Sequence, residues 1–251
     1  MEDGRRLESL KQNNRIHADP PATRGRCGSI VVIGNTSFFA FILTPVGSVS
    51  RPTACKGDKI FLNGEKIAMK KFELTTDSIK ENGVTLYRIK SLIDFGDVKA
   101  GDLGGYVEKE ENLSQYGDAW VYGDVHVRGN ACVYGDVQVS GNALVCDNVQ
   151  VSGNALVSGN ARVSGNAWVS GDARVRGNAR VSGDARVFGN ARVFGNAWVS
   201  GNAWVSGDAR VRDNAHVFDK AWVSDNACVR GDARVGGNAR VSGDVDYICL
   251  K

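Results

Sequence analysis

From Gly117 to Ile248 one six-residue phrase recurs in 22 unbroken copies, as in "GNARVSGNAWVSGDARVR" over residues 159–176. Numbered 1 to 6, the phrase reads [GD]-[ND]-[AV]-x-V-x. Position 1 is Gly in 18 copies and Asp in four, at 147, 213, 219 and 225. Position 2 is Asn or Asp in 21 copies, Lys220 being the exception. Position 3 is Ala in 18 copies and Val in four, and position 5 is Val in 21, with Tyr247 closing the series. Two apolar residues spaced two apart share one side of a short strand, so positions 3 and 5 point inward and 4 and 6 outward. Gly-Asn and Gly-Asp tolerate positive φ and make a corner. A corner every six residues with one inward side predicts an all-β fold, a single-stranded parallel β-helix with three hexapeptides per 18-residue coil. The 22 copies then make about seven coils, each burying three valines for a gross gain of ~5 kcal/mol. Proline is absent from the repeat, as a continuous backbone ladder requires.

Residues 69–116 read as an N-terminal β cap. "VTLYRIKSLIDF" (84–95) is rich in β-branched and aromatic residues and predicts a strand. Asn82-Gly83 before it is a turn signal. Val107 and Leu113 lie 12 and 6 residues before Ala119, which predicts that they already stand in repeat register. A cap is needed because the terminal coil of a solenoid would otherwise expose strand edges and core. Residues 1–68 hold all four prolines and sustain no period, and read as a poorly ordered leader. Gly64-Glu65 just before Met69 can be encoded by a purine-rich stretch resembling a ribosome-binding site. That makes Met69 the expected natural start and 1–68 translated upstream sequence. Residues 249–251 form a tail.

Charge narrows the function classes. The net charge is +3, but residues 1–68 carry 10 Lys/Arg against 6 Asp/Glu, leaving 21 against 22 for 69–251. So neutral a body speaks against sequence-independent nucleic-acid binding. The six cysteines show no C-x-x-C and no regular spacing, which points to free thiols in a reducing cytoplasm rather than a disulfide framework or zinc site. The apolar stretch "FFAFILTPVG" is broken by Pro45 and polar residues, too short and interrupted for a membrane span.

Candidate chemistry is sparse. Of three histidines, His17 lies in the leader. His126 and His216 both occupy position 4, 90 residues apart, hence on one face five coils or ~24 Å apart. They are the repeat's only candidate general bases, and a surface role outweighs a catalytic one because a base needs a partner and a cleft. One edge stacks Asp136, Asn154, Asp172, Asn190, Asp208, Asn226 and Asp244. Turn formation and avoidance of stacked like charges explain that alternation better than calcium binding, and no metal is expected. Position 4 holds all five tryptophans and eight arginines. Folding three copies per coil puts Cys132, Gln150, Trp168, Arg186, Trp204, Trp222 and Arg240 on one face, and Arg162, Arg180, Trp198, His216 and Arg234 on another. Exposed Trp/Arg faces suit a partner. Cation–π stacking along the ladder accounts for them equally well. Trp168, Arg186, Trp198, Trp204, Trp222 and Arg240 are the candidate partner-binding residues.

The V-x-G-N-A-x phrase is similar to the hexapeptide consensus of the left-handed β-helix superfamily. "MKKFELTTDSIKENGVTLYRIKSLIDFGDVKAGDLGGYVEKEENLSQYGDAWVYGD" followed by GNARV repeats resembles a bacterial and prophage group of hexapeptide-repeat proteins, acyltransferase-like and mostly uncharacterised. The resemblance covers Met69–Lys251. It implies left-handed coils, trimeric assembly, a histidine base near a coil-breaking loop, and coenzyme A held between subunits. It also implies a further region after Asp246–Lys251. This repeat has no loop insertion to build a pocket. The leading expectation is therefore a non-enzymatic cytoplasmic solenoid without a cofactor, self-associating or binding a protein partner through its Trp/Arg faces. A CoA-dependent acyltransferase acting at a subunit interface is the alternative, and a glycan-binding solenoid a weaker one.

Overall fold

The computed structural model describes residues 70–249 and two short strands, β1 (Phe61–Leu62) and β2 (Glu65–Lys66), which pair antiparallel. The rest of the expected leader, His17 included, lies outside the described residues, as does Met69.

Each hexapeptide contributes a two-residue strand at positions 4 and 5, such as Arg162–Val163, and turns at positions 1 and 2. Each strand pairs in parallel with the one 18 residues on: Leu144 opposite Arg162, Val145 opposite Val163. Three sheets result. The histidine face carries His126, Leu144, Arg162, Arg180, Trp198, His216 and Arg234 at position 4. The tryptophan face carries Cys132, Gln150, Trp168, Arg186, Trp204, Trp222 and Arg240. The arginine face runs from Trp120 through Arg174, Arg192 and Arg210 to Asp246. The chain is thus an all-β parallel solenoid with the expected 18-residue coil. Eight parallel strands stack on its arginine face, one more than the seven coils expected.

Three backbone bonds per hexapeptide tie coil to coil. Arg162 N–H donates to Ala179 O at 2.9 Å, Ser164 N–H to Val181 O at 2.9 Å, and Asn166 N–H to Gly183 O at 2.8 Å. The core is two columns per face, Ala or Val at position 3 and Val at position 5, buried from Ala119 to Val235. Position 1 is left-handed throughout, and the reason is coil stacking: a Cβ on Gly165 (φ +75) would lie 2.8 Å from the Gly183 backbone. Four aspartates nonetheless occupy this conformation, with φ from 57 to 67. Each offers a carboxylate to the glycine N–H one coil on: Asp147 to Gly165 (2.9 Å), Asp213 to Gly231 (3.1 Å), Asp219 to Gly237 (3.0 Å) and Asp225 to Gly243 (3.2 Å).

The N-terminal strands continue the histidine face. β3 (Phe72–Glu81) and β4 (Val84–Ser91) pair antiparallel around Asn82-Gly83, both at positive φ, the geometry of a two-residue hairpin turn. β4 pairs antiparallel with β5 (Leu103–Val107), which pairs in parallel with His126–Val127. Here the register expectation fails. Val107 pairs with Val127, and Leu113 bridges to Val133. Both therefore stand in the position-5 valine column rather than with Ala119. Two extra residues lie between Leu113 and Val121, after the short 3-10 turn Glu110–Asn112.

Here two side chains bond backbone carbonyls of the first coils. The Lys71 ammonium donates to Ala119 O (2.8 Å) and Gly117 O (3.1 Å). The Asn112 amide donates to Ala131 O (2.8 Å) and Gly129 O (3.2 Å). Elsewhere in the solenoid these position-1 and position-3 carbonyls take backbone N–H groups of the preceding coil. Burial pushes the Lys71 pKa down to about 8, with Asp118 and Asp136 pulling it partly back. Trp120 also departs from expectation. It stands at outward position 4 yet is 1% exposed, because Phe72 and Phe95 cover it edge-on at 6.2 and 5.4 Å. Cys146 and Cys228 are free thiols. Cys132 is disulfide-bonded, so the expectation of free thiols throughout does not hold there. Among the described residues no helix is long and apolar enough to cross a membrane.

Candidate functional site

Parallel register brings five of the six candidate partner-binding residues into one column: Trp168, Arg186, Trp204, Trp222 and Arg240. The Arg186 guanidinium lies 4.9 Å from the Trp204 ring centre and 5.9 Å from that of Trp168. Trp204 and Trp222 tilt together at 5.7 Å, and Arg240 covers Trp222 at 5.4 Å. Trp198 stands apart on the histidine face, edge-on to His216 at 5.3 Å. Part of each ring is thus used within the chain, as ladder stacking requires. What remains open is uneven: Trp198 and Trp222 are 39% and 38% exposed, whereas Trp168 and Trp204 are half-buried.

Sequence reasoning missed the residues that orient these rings. Each Trp reaches diagonally to position 6 of the preceding coil, 16 residues back. Trp168 Nε1–H donates to Ser152 Oγ (3.4 Å), Trp198 to Ser182 (3.0 Å) and Trp222 to Ser206 (3.3 Å). Trp204 meets Phe188 there instead, edge-on at 5.9 Å. The offset follows from the coil, 18 less the two residues between positions 4 and 6. Once the coil length is known, it could be read from the sequence.

The histidines do not meet. They lie on one sheet five strands apart, or ~24 Å. His126 does have a partner that sequence reasoning did not find: its Nδ1 lies 2.9 Å from a Glu81 carboxylate oxygen at the end of β3. Tyr106 packs edge-on to the imidazole at 6.0 Å, and its hydroxyl accepts from Arg88 (3.1 Å) and donates to Asp77 (3.4 Å). Nothing in the repeat marks Glu81, because the pairing depends on the length of β3. His216 has no carboxylate. Burial and then the charge of Arg234 lower its pKa, which favours the neutral imidazole.

Beside the histidines runs a shallow groove of about 520 Å³ lined by Asn142, Asn160, Arg162, Asn178, Arg180 and Asn196. Its asparagines belong to a one-way amide ladder. Each Nδ2 donates to the Oδ1 one coil on, at 3.3 Å (142 to 160), 3.1 Å (160 to 178), 3.0 Å (178 to 196) and 3.1 Å (196 to 214), and Asn214 ends on the Asp232 carboxylate at 3.0 Å. Each amide keeps one N–H and one oxygen lone pair outside the ladder, beside the Arg162 and Arg180 guanidiniums. Donors therefore outnumber acceptors in the groove, which suits oxygen-rich ligands. The alternating edge forms amide-to-carboxylate pairs: Asn154 to Asp172 (2.9 Å), Asn190 to Asp208 (2.9 Å) and Asn226 to Asp244 (2.8 Å). Among the described residues no three His, Cys, Asp or Glu side chains are grouped to hold a metal ion.

Comparison with known proteins agrees with this geometry. A family model described as YdcK beta solenoid repeat matches residues 137–153, 149–165, 157–171, 179–193 and 185–201. A protein named uncharacterized acetyltransferase YdcK, from Escherichia coli (strain K12), is 41% identical over 51 residues. That match spans 20% of this chain and 15% of the relative. In fold and in repeat phrase, the solenoid of this chain is similar to the hexapeptide-repeat β-helix proteins that the YdcK beta solenoid repeat model describes.

Proposed function

We propose that this protein is a cytoplasmic interaction solenoid without a catalytic centre of its own, and that it associates with further copies of itself through the tryptophan face. One observation carries the reading: Trp168, Arg186, Trp204, Trp222 and Arg240 stand in unbroken register on a flat sheet. Aromatic rings and guanidiniums are the side chains that contribute most per residue to buried interfaces. No loop interrupts the coils to build an enclosed pocket beside them. The strands before the repeat act as its cap, with Lys71 and Asn112 closing the open edge. A trimer is the assembly expected.

Sedimentation equilibrium tests the reading. A mass that rises with concentration to a multiple of 26.9 kDa, and falls back to the monomer in Trp204→Ala/Trp222→Ala, is the expected outcome. A monomer at all concentrations, or an oligomer indifferent to both substitutions, refutes it.

The His126–Glu81 pair at 2.9 Å favours a second reading, a CoA-dependent acyltransferase acting at a subunit interface. The carboxylate orients the imidazole as a general base requires, and the E. coli relative carries an acetyltransferase name. Calorimetry with acetyl-CoA separates the two. Saturable micromolar binding, with acyl transfer lost in His126→Ala or His216→Ala, establishes the enzyme. Absence of binding at millimolar ligand removes it.

A further inference from the structure

The near-neutral total charge of the solenoid conceals a segregation. Of 13 acidic residues in 117–249, 12 stand at corner positions 1 and 2, Asp246 being the exception. Of 13 basic residues, 12 are arginines at outward positions 4 and 6, Lys220 being the exception. Those 12 arginines are shared unequally among the faces: two on the tryptophan face, four on the histidine face, and six on the arginine face. The six form two parallel columns on four successive coils. Arg174, Arg192 and Arg210 occupy position 4, and Arg176, Arg212 and Arg230 position 6, with Phe194 in the gap of the second column.

They are neutralised only in part. Of these six, Arg230 is ion-paired to Asp246 at 3.0 Å, and Asp213 and Asp246 stabilise the charge of Arg212. No close ion pair is made by Arg174, Arg176, Arg192 or Arg210 among the described residues. The corner carboxylates beside this face also hold amide partners: Asp172 and Asp208 accept from asparagine amides and Asp213 from the Gly231 N–H. Arg174, Arg176 and Arg210 are exposed. Coils spaced ~4.8 Å apart stack these guanidiniums close enough to repel one another. The arrangement is costly unless an anion lies over it.

We propose that the arginine face binds a linear acidic polysaccharide, laid along the solenoid axis between the two arginine columns, with its carboxylate or sulfate groups held by guanidiniums from successive coils. The coil spacing is close to the length of one sugar ring in an extended chain, so one acidic group per sugar meets one coil. The half-buried Phe194 ring, with Arg176 at 5.8 Å on its face, gives a pyranose a flat apolar surface between the columns. Nucleic acid matches this face less well, because single strands need successive aromatic platforms and Phe194 stands alone. A membrane surface would need a row of apolar anchors. Phe194 is the only outward aromatic or aliphatic side chain of this face within the four arginine-bearing coils, with the half-buried Leu156 one coil before them. The proposal is independent of self-association, which uses another face.

The test is binding of the full chain to polygalacturonate and to dextran sulfate at low salt, with oligothymidylate and phosphatidylglycerol vesicles in parallel. The variant is Arg174→Gln/Arg192→Gln/Arg210→Gln. The solenoid already accepts glutamine at position 4, at Gln138 and Gln150, so the fold is retained, as circular dichroism would verify. Arg162→Gln/Arg180→Gln on the histidine face is the control. The expected result is salt-dependent glycan binding, weakened about tenfold or more in the triple variant and little changed in the control. Preference for polygalacturonate or for dextran sulfate tells carboxylate from sulfate recognition. No binding to either glycan, equal loss in variant and control, or tighter binding of oligothymidylate or vesicles each overturns the proposal.

Discussion

The four corner aspartates predict an unusual order of substitutions at Gly177. This glycine holds φ +73, and a Cβ there would lie 3.1 Å from Gly195 O and 3.2 Å from Gly195 N. Alanine must take the left-handed conformation, at about 1–2 kcal/mol, and the next coil must yield a few tenths of an ångström. Aspartate is larger and incurs the same contact. It tolerates the left-handed region better, and its carboxylate reaches the glycine N–H one coil on, as it does at Asp147, Asp213, Asp219 and Asp225 over 2.9–3.2 Å. A hydrogen bond to a charged group is worth about 1.5–3 kcal/mol. Gly177→Asp is therefore expected near the wild-type stability and Gly177→Ala about 1–2 kcal/mol below it. Gly177→Asn, which tolerates the conformation but lacks the charge, should fall between. Urea unfolding followed by circular dichroism reads the order from the midpoints. Repeat arrays do not always unfold in one step, so midpoints rather than extrapolated free energies are compared. Alanine as stable as aspartate would mean that the native aspartates are merely tolerated and that the carboxylate bond contributes nothing.

Two further perturbations probe the N-terminal end. Trp120→Ala removes a ring that is 1% exposed and should cost about 3–5 kcal/mol. Trp222→Ala, 38% exposed, should cost the free monomer under about 1.5 kcal/mol; equal costs in thermal unfolding would refute the covering of Trp120. Lys71 loses its proton at about 8 when folded and at 10.5 when unfolded. In that window the unfolded chain binds more protons, so stability rises with pH by up to ~3 kcal/mol, and Lys71→Met should lose this rise. The Cys146 thiol, which burial pushes up to about 11, works in the opposite direction above pH 9. It does so in both proteins and cancels in their difference, and a flat difference curve between pH 8 and 10.5 would contradict the buried ammonium.

The solenoid was legible in the sequence because the signal repeats: position 5 is a buried valine from Val121 to Val235, and every strand pairing from Trp120 onward keeps the 18-residue register. What escaped lies where the period ends. Val107 and Leu113 are six residues apart, in phase with each other, and nothing local shows that two residues are then inserted. The cover over Trp120 comes from Phe72 on β3 and Phe95 beyond β4, and the carboxylate beside His126 from the end of β3. The placement of these residues depends on tertiary contacts rather than pattern. The diagonal from Trp168 to Ser152 was a different kind of miss. Coil length and side-chain alternation together determine it, but a reading along each column does not look across them.

The charges illustrate how averages mislead in a repeat. In a globule, net charge approximates the surface because position and sequence are weakly related. Here each hexapeptide position owns one strip of surface. The corners need residues that tolerate left-handed φ or extend the amide ladder, which selects Gly, Asn and Asp and makes the edges acidic. The flat positions need long stems that lie over the neighbouring coil, which arginine supplies. Those backbone demands account for acidic edges and basic faces. They do not account for six arginines on one face and two on the next, since all three sheets share the same core and the same ladder. The unequal distribution is free of folding constraints. In a solenoid whose interior is identical on every side, it is there that a partner's preference would be written.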